Sequence, residues 1–242
     1  MILRVEHDGA ASGALNMQRD LELLQRAEGN IDSAYFRTYT WHPYCVSLGR
    51  NQPESVLDKT MCAHHGVHVV TRPTGGRAVF HANELTYCLA IKLTSTLSAQ
   101  KVYHAVHEAI FRCLHPHVRS LTFSGVPIDL RKHYASKGIL GAACFTAHAR
   151  SEILVGHRKL VGSAQRIING TLLQHGSILC GPEHTMISDL LACSGAERAS
   201  LKQELLSTST SISEAMGVPC SPEDVCRWLT DVDRQVENVL FA

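Results

Sequence analysis

Arg72-Pro73-Thr74-Gly75-Gly76-Arg77-Ala78-Val79-Phe80-His81-Ala82-Asn83-Glu84-Leu85-Thr86-Tyr87 sets two adjacent glycines between two strand-like runs. Neither glycine carries a Cβ, so the backbone N–H groups of such a turn are open to a ligand. Taken alone, the pair predicts a hairpin turn joining a strand over residues 67–71 to one over residues 85–93.

Upstream, residues 2–7 alternate as an edge strand does. Ser12 is placed to cap a helix with apolar positions at Leu15, Leu21, Leu24 and Ala27, ending at Gly29-Asn30. Strands are expected over residues 34–40 and 45–48, on either side of His42-Pro43, then a helix entered at Pro53 and closed near Gly66. Downstream, Val102, Val106, Ile110 and Leu114 recur every four residues and place one apolar stripe on a helix over residues 98–115. Short strands follow at 119–123, 142–145, 152–155, 159–166 and 171–179, interrupted by a polar connection over 131–137, and are expected in one antiparallel sheet. From Glu183 onward the chain is helical in character, and Pro222 and Asp224 open a last amphipathic segment through Val225, Leu229, Val232, Val236 and Leu240. The expected class is α+β, a mixed, mostly antiparallel sheet with packed helices.

Composition narrows the function. The 242 residues are 45% hydrophobic and 19% charged, enough to bury a substantial core and unlike a disordered chain. A net charge of +1 argues against bulk nucleic-acid binding, although Arg72, Arg77, Arg131, Lys132, Arg158 and Lys159 can gather into a local basic patch that suits an acidic protein. Nine cysteines occur without a secretory start, a Cys-x-x-Cys pair or an apolar run of membrane-spanning length, so reduced thiols in a cytoplasm are expected. Cys62, His64, His65 and His68 cluster, but no second ligand pair follows at finger-like distance, and no metal is expected.

Two further segments give the Gly-Gly stretch its context: Gly156-His-Arg-Lys-Leu-Val-Gly-Ser-Ala-Gln165 and Leu173-Gln-His-Gly-Ser-Ile-Leu179. With Ser47-Leu-Gly-Arg-Asn-Gln52 they resemble, in type, order and spacing, the lipoate/biotin protein ligase superfamily, from about Ser12 to about Leu190. Arg77 in the third position after the turn, and Glu84-Leu-Thr-Tyr87, bring the chain closest to the octanoyl transferases that use acyl carrier protein as donor. The resemblance implies a class II biotin/lipoate ligase-like catalytic domain over residues 1–190, with residues 191–242 a helical extension packed on it.

Among the thiols, Cys144 follows Gly141-Ala-Ala, where small side chains leave room for a ligand, and Lys159 lies fifteen positions on. By residue type alone a free cysteine is more often a small buried hydrophobe. The resemblance reverses this, because the transferase branch carries a Cys-Phe pair at this distance before the lysine of Lys-x-x-Gly-Ser-Ala-Gln. Cys144 and Lys159 are thus implied as catalytic. Arg72, Gly75, Gly76, Arg77, Ala78, Val79, His81, Gly162, Ser163, Ala164, His175 and Gly176 are implied as substrate-binding. The branch commonly continues after Cys-Phe with a Pro-Ser-aromatic-Tyr-Glu run, of which only Glu152 is present in His148-Ala-Arg-Ser-Glu152.

The implied reaction passes an acyl group from a carrier thioester to Cys144 and on to a lysine amine, running downhill to an amide without ATP. The Lys159 ammonium would favour the thiolate and the developing oxyanion, with backbone N–H groups near Gly75-Gly76 or Cys144 as further donors. The amine proton would pass to the leaving thiolate or to a histidine such as His81 or His148, while His81 and His175 also suit structural roles. One face of Val79, Leu85, Tyr87 and Leu89 is a candidate wall for the acyl chain, with one or two touching it. The implied partners are octanoyl acyl carrier protein as donor and a lipoyl-domain protein as acceptor, the glycine cleavage H protein or a dehydrogenase E2 subunit. The competing readings are an ATP- and Mg-dependent lipoate ligase forming an acyl adenylate, an amidotransferase between lipoyl proteins, and a lipoyl-domain binding protein without turnover.

Overall fold

The structure, a computed structural model, describes residues 2–123, 141–145 and 152–240. Its main sheet has five strands, in the order β1 (Ile2–Ala11), β2 (Ser33–Trp41), β6 (Glu84–Lys92), β11 (Thr171–Leu179) and β10 (Val161–Ile168). β1 and β2 are parallel; the other three pairings are antiparallel. Period-two alternation divides the central strands between two layers. Phe36, Tyr87, Leu89 and Ile91 face α3 (Ala99–Leu114), whose Val102, Val106, Ile110 and Leu114 are fully buried against them. Tyr35, Tyr39, Trp41, Cys88, Ala90 and Leu173 face α1 (Gly13–Glu28) on the opposite side.

A second sheet has the order β4 (His68–Thr71), β3 (Cys45–Leu48), β5 (Val79–His81). The Gly-Gly stretch is therefore not a hairpin. β4 is parallel to β3 and β5 antiparallel to it, so β3 lies between them and residues 72–78 form a crossing loop. A third small sheet pairs β7 (Leu121–Phe123), β8 (Ile153–Val155) and β9 (Arg158–Lys159), so the later strands do not all join one sheet.

Several further expectations change in detail. Ser12 does cap α1, accepting from the Leu15 N–H, but Leu15 and Leu21 are exposed; Met17, Leu23, Leu24 and Ala27 form the buried stripe. The segment after Pro53 is a 3-10 turn (Glu54–Val56) followed by α2 (Lys59–His64), which Asp58 caps by accepting from Thr60 and Met61 N–H groups. Residues 142–145 form no strand, only an isolated parallel bridge of Ala143 to Ala78. The predicted 159–166 strand breaks at Leu160, whose N–H turns to the Ile153 carbonyl.

Beyond the 3-10 turn Pro182–Met186 come α4 (Ile187–Leu190), α5 (Gly195–Thr208), α6 (Ile212–Met216), α7 (Pro222–Trp228) and α8 (Val232–Leu240). The last amphipathic segment is thus two helices. Leu201 and Leu205 of α5 share a core with the second sheet, while Val225, Leu229, Val232, Val236 and Leu240 join the α3 core. No described helix is long and apolar enough to cross a membrane.

Candidate active site

One buried side chain, Arg72, makes several of the bonds that hold the 72–78 loop. Arg72 donates from Nε and Nη2 to the Gly75 carbonyl (3.2 and 2.8 Å), from Nη2 to the Arg77 carbonyl (2.7 Å), and from Nη1 to Ser47 O and Oγ (2.8 and 3.0 Å). Gly76 adopts φ +95°, where an L side chain is strained, and an added Cβ would lie 2.7 Å from Arg72 Nη2. A Cβ on Gly49 would meet the Gly76 carbonyl oxygen at 2.2 Å. The Ser47-Leu-Gly-Arg segment thus packs directly on the Gly-Gly loop.

This loop roofs a cleft of about 720 Å³, counted out to its open mouth. The cleft brings together Arg72, Gly76, Arg77, Val79, His81, Cys144, Lys159, Gly162, Ser163, Ala164, His175 and Gly176. Gly75 and Ala78 lie outside its lining. The Gly75 carbonyl is engaged by Arg72, and Ala78 is a backbone partner of residues 142 and 144, with its methyl group in the core. Of the four candidate wall residues only Val79 lines the cleft; Leu85, Tyr87 and Leu89 are core. Met17, Tyr39, Trp41, Ser47, Thr86, Phe145, Glu152 and Ser177 complete it.

Cys144 is half-buried and is positioned by its own N–H, which donates to the Ala78 carbonyl (2.9 Å). That N–H is therefore committed to the fold and is not a free oxyanion donor. Phe145 follows at φ +68°, and its ring lies 5.4 Å from Lys159 Nζ. Gly162 makes the approach possible, since a Cβ there would sit 2.9 Å from Lys159 Cε and 3.1 Å from Phe145 Cε1.

Lys159 is buried, and its ammonium donates to Glu152 Oε1 at 2.5 Å. Burial alone would pull its pKa down, but Glu152 and, less strongly, a charged Cys144 sulfur hold it above the ordinary lysine value. Lys159 is therefore a resident cation beside the Cys144 sulfur rather than a neutral base.

A buried polar network backs the cleft. His81 stacks on Trp41 (centroids 4.0 Å apart), with Nε2 2.7 Å from Ser47 Oγ and Nδ1 2.7 Å from Glu84 Oε1. Glu84 Oε1 also accepts from Thr86 (2.6 Å) and Ser177 (2.7 Å). Burial would raise the Glu84 pKa, yet His81, Thr86 and Ser177 together hold it below the usual carboxylate value.

His175 joins Thr74 Oγ1 (3.0 Å) to Asp20 Oδ2 (2.7 Å), and Asp20 also accepts from Arg37 (2.5 Å) and Tyr39 (2.8 Å). α1 is tied through these residues to the start of the glycine loop, so both His81 and His175 have structural partners on each ring nitrogen. Ser163 Oγ meets Tyr87 OH (2.6 Å) and His107 Nε2 (2.7 Å), and a Cβ on Gly176 would collide with Tyr87 Cε1 at 2.2 Å.

Asp20, Cys88 and His175 bring candidate metal-ligand atoms within 4.8 Å of one another. Arg37, Tyr39 and His175 already use both Asp20 oxygens, and a guanidinium at 2.5 Å is a poor neighbour for a cation. His148, Arg131, Lys132 and the 131–137 connection lie outside the described residues.

The residues that sequence reasoning missed come mainly from strands facing the glycine loop. Tyr39, Trp41 and Thr86 sit on β2 and β6, and register pairs Thr86 with Ser177 and Tyr87 with Gly176. Strand alternation from His175 would have flagged Ser177; no sequence signal marked Met17.

Fold and cleft together define an α+β domain in which one cleft gathers a cysteine, a buried lysine and a glycine-rich loop. The family model of the lipoyl protein ligase A/B catalytic domain matches residues 12–232, and the chain belongs to that family. It is 36% identical over 182 residues to the octanoyltransferase LipM of Clostridioides difficile, covering 73% of this chain and 65% of that protein. It is 37% identical over 169 residues to the octanoyltransferase LipM of Carboxydothermus hydrogenoformans, of which it spans 61%. With the octanoyltransferase LipM of Kyrpidia tusciae identity is 31%, over 92% of this chain and 82% of that protein. Among solved structures, the bipartite lipoate protein ligase of Thermoplasma acidophilum superposes with a TM-score of 0.73 at 17% identity, covering all of this chain and 84% of that one. A lipoate-protein ligase A bound with ATP gives 0.72 at 18%, covering all of this chain and 86% of that one. These two likenesses establish the fold.

Proposed function

We propose that this chain is an octanoyltransferase of lipoate biosynthesis, acting through a thioester on Cys144. The observation that carries the reading is the Cys144-Phe145 pair lying against the buried Lys159–Glu152 ion pair in one cleft; the named transferase relatives support it.

In the first half, the Cys144 thiolate attacks the octanoyl thioester of an acyl carrier protein. A bond forms between Sγ and the acyl carbon, and the bond to the carrier sulfur breaks. The Lys159 ammonium, kept charged by Glu152, faces the negative charge that develops on the carbonyl oxygen. The carrier sulfur leaves as thiolate and is protonated by solvent.

In the second half, the neutral lysine amine of a lipoyl-domain protein attacks the same carbon, the new C–N bond forms and the bond to Cys144 Sγ breaks. His81 is tied to Ser47 and Glu84 at both nitrogens, so the departing sulfur is the more direct destination for the amine proton. One thioester is exchanged for another and then for an amide, so the proposed reaction needs neither ATP nor a metal. A reducing cytoplasm suits it, with all nine cysteines free.

The test is octanoylation of a lipoyl domain by the purified chain from octanoyl acyl carrier protein, with and without ATP. Transfer without ATP that disappears in Cys144→Ala supports the reading. Modification from free octanoate or lipoate that requires ATP and survives Cys144→Ala overturns it in favour of a ligase.

A further inference from the structure

We infer that Thr208, at the C-terminal end of α5, is a positioning residue for both reacting side chains. The inference rests on the assignment of Cys144 and Lys159 to acyl transfer. It extends that assignment to a stretch whose sequence marked only packing.

Three consecutive residues reach both halves of the site. Thr208 Oγ1 lies 3.0 Å from the Phe145 carbonyl, one residue beyond Cys144. The Thr210 N–H donates to the Lys159 carbonyl at 3.0 Å, and Ser209 pairs with Lys159 in a parallel bridge. Ser209 is fixed in turn. Its hydroxyl donates to the Leu205 carbonyl (2.6 Å) and lies 2.7 Å from His184 Nε2, and the His184 ring packs 5.9 Å from that of Phe145. Segment 208–210 thus runs between the cysteine turn and the lysine strand and is bonded to each.

The cysteine turn needs such support. Phe145 holds φ +68°, a region that an aromatic L residue leaves unless its surroundings fix it. Its fixed points are the Cys144 N–H on Ala78, the ring against Gly162 and Lys159, and the carbonyl at Thr208. Thr208 has one hydroxyl proton and two carbonyls in reach, Phe145 and its own helix's Glu204 at 2.8 Å. The latter bond is a helix's ordinary way of satisfying a threonine. Removing the hydroxyl therefore costs α5 little, while Phe145 loses the contact that aligns its peptide, and Cys144 loses register with Lys159.

The experiment compares Thr208→Val with Thr208→Ser. Two readouts are used: alkylation of Cys144 by iodoacetamide across pH, followed by peptide mass, and the single-turnover rate of octanoyl transfer to a lipoyl domain. Alkylation does not depend on the natural substrate, so it tests the positioning even where the transferase reading fails. The expected result is a pH profile of Cys144 alkylation displaced from wild type in Thr208→Val and restored in Thr208→Ser. Transfer slows about ten- to a hundred-fold in kcat, with KM for the lipoyl domain unchanged, as expected for a misplaced nucleophile. Melting is compared alongside. A wild-type alkylation profile in Thr208→Val overturns the inference. So does a Thr208→Ser variant as impaired as Thr208→Val, or a loss of transfer that only follows a fall in melting temperature.

Discussion

Replacing Glu152 by Gln separates what the Lys159 ion pair does for stability from what it does for chemistry. Both side chains are almost wholly buried, at 5% and 2% exposure, with 2.5 Å between charged atoms. Removing one member of a buried pair costs about 3–5 kcal/mol, because the partner's charge is left without compensation. At roughly 2–4 °C per kcal/mol for a chain of this size, melting should fall by about 6–20 °C. The pair also sets a pH window. Lys159 is raised above its unfolded value, so its stabilising contribution is complete below the ordinary lysine pKa near 10.4 and is lost as pH rises through the folded value.

Without Glu152, burial acts on Lys159 unopposed by its main partner, and the alkaline limb of the transfer rate should move to lower pH. Calorimetry and a pH–rate profile on Glu152→Gln read both effects. The double variant Glu152→Leu, Lys159→Met should recover much of the stability, as apolar replacements of buried pairs do, while remaining inactive. A melting temperature within about 2 °C of wild type, together with an unmoved alkaline limb, would mean that Glu152 neither stabilises the buried Lys159 nor keeps it charged.

Gly176→Ala should lower melting and slow transfer, because the new methyl group would meet Tyr87 Cε1 at 2.2 Å and Ser163 Oγ at 2.5 Å; overpacking of this kind costs about 1–3 kcal/mol, and a wild-type melting curve would contradict it. Asp20→Asn should destabilise by about 3–5 kcal/mol, since it leaves the buried Arg37 guanidinium without its closest carboxylate, as denaturant titration would show. Burial alone would raise the Asp20 pKa, but His175, Arg37 and Tyr39 hold it below its ordinary value. Its stabilising effect is therefore present above about pH 4 and lost as pH falls through the folded value. Acid unfolding of wild type and Asp20→Asn should accordingly converge at low pH.

The sequence made the layered scaffold legible where a segment had one clean period. The α3 stripe of Val102, Val106, Ile110 and Leu114 and the strands carrying Phe36, Leu89 and Leu173 all appear close to their expected limits. Turn chemistry misled where pairing is non-local. Gly75-Gly76 looks like a hairpin, but β3 intervenes between β4 and β5, and local sequence does not encode a strand that arrives from thirty residues upstream. Leu160 reads as part of one strand, yet its N–H turns to Ile153 and divides the main sheet's β10 from β9 of the third sheet.

The candidate site was legible through resemblance rather than through periodicity. Cys144 and Lys159 line one cleft, and the Phe145 ring reaches Lys159 because Gly162 leaves space for both, a three-dimensional fact that a spacing of fifteen does not contain. Thr208 carries no motif at all, and its position at the Phe145 carbonyl follows only from how α5 packs.

Acyl transfer through Cys144 requires a covalent intermediate on its sulfur. Intact-protein mass after mixing the chain with octanoyl acyl carrier protein, in the absence of ATP and acceptor, should show one octanoyl adduct. Peptide mapping should place it on Cys144, and the adduct should be absent in Cys144→Ala and discharged by a lipoyl domain. An unmodified wild-type mass, or an adduct that persists in Cys144→Ala, would contradict it.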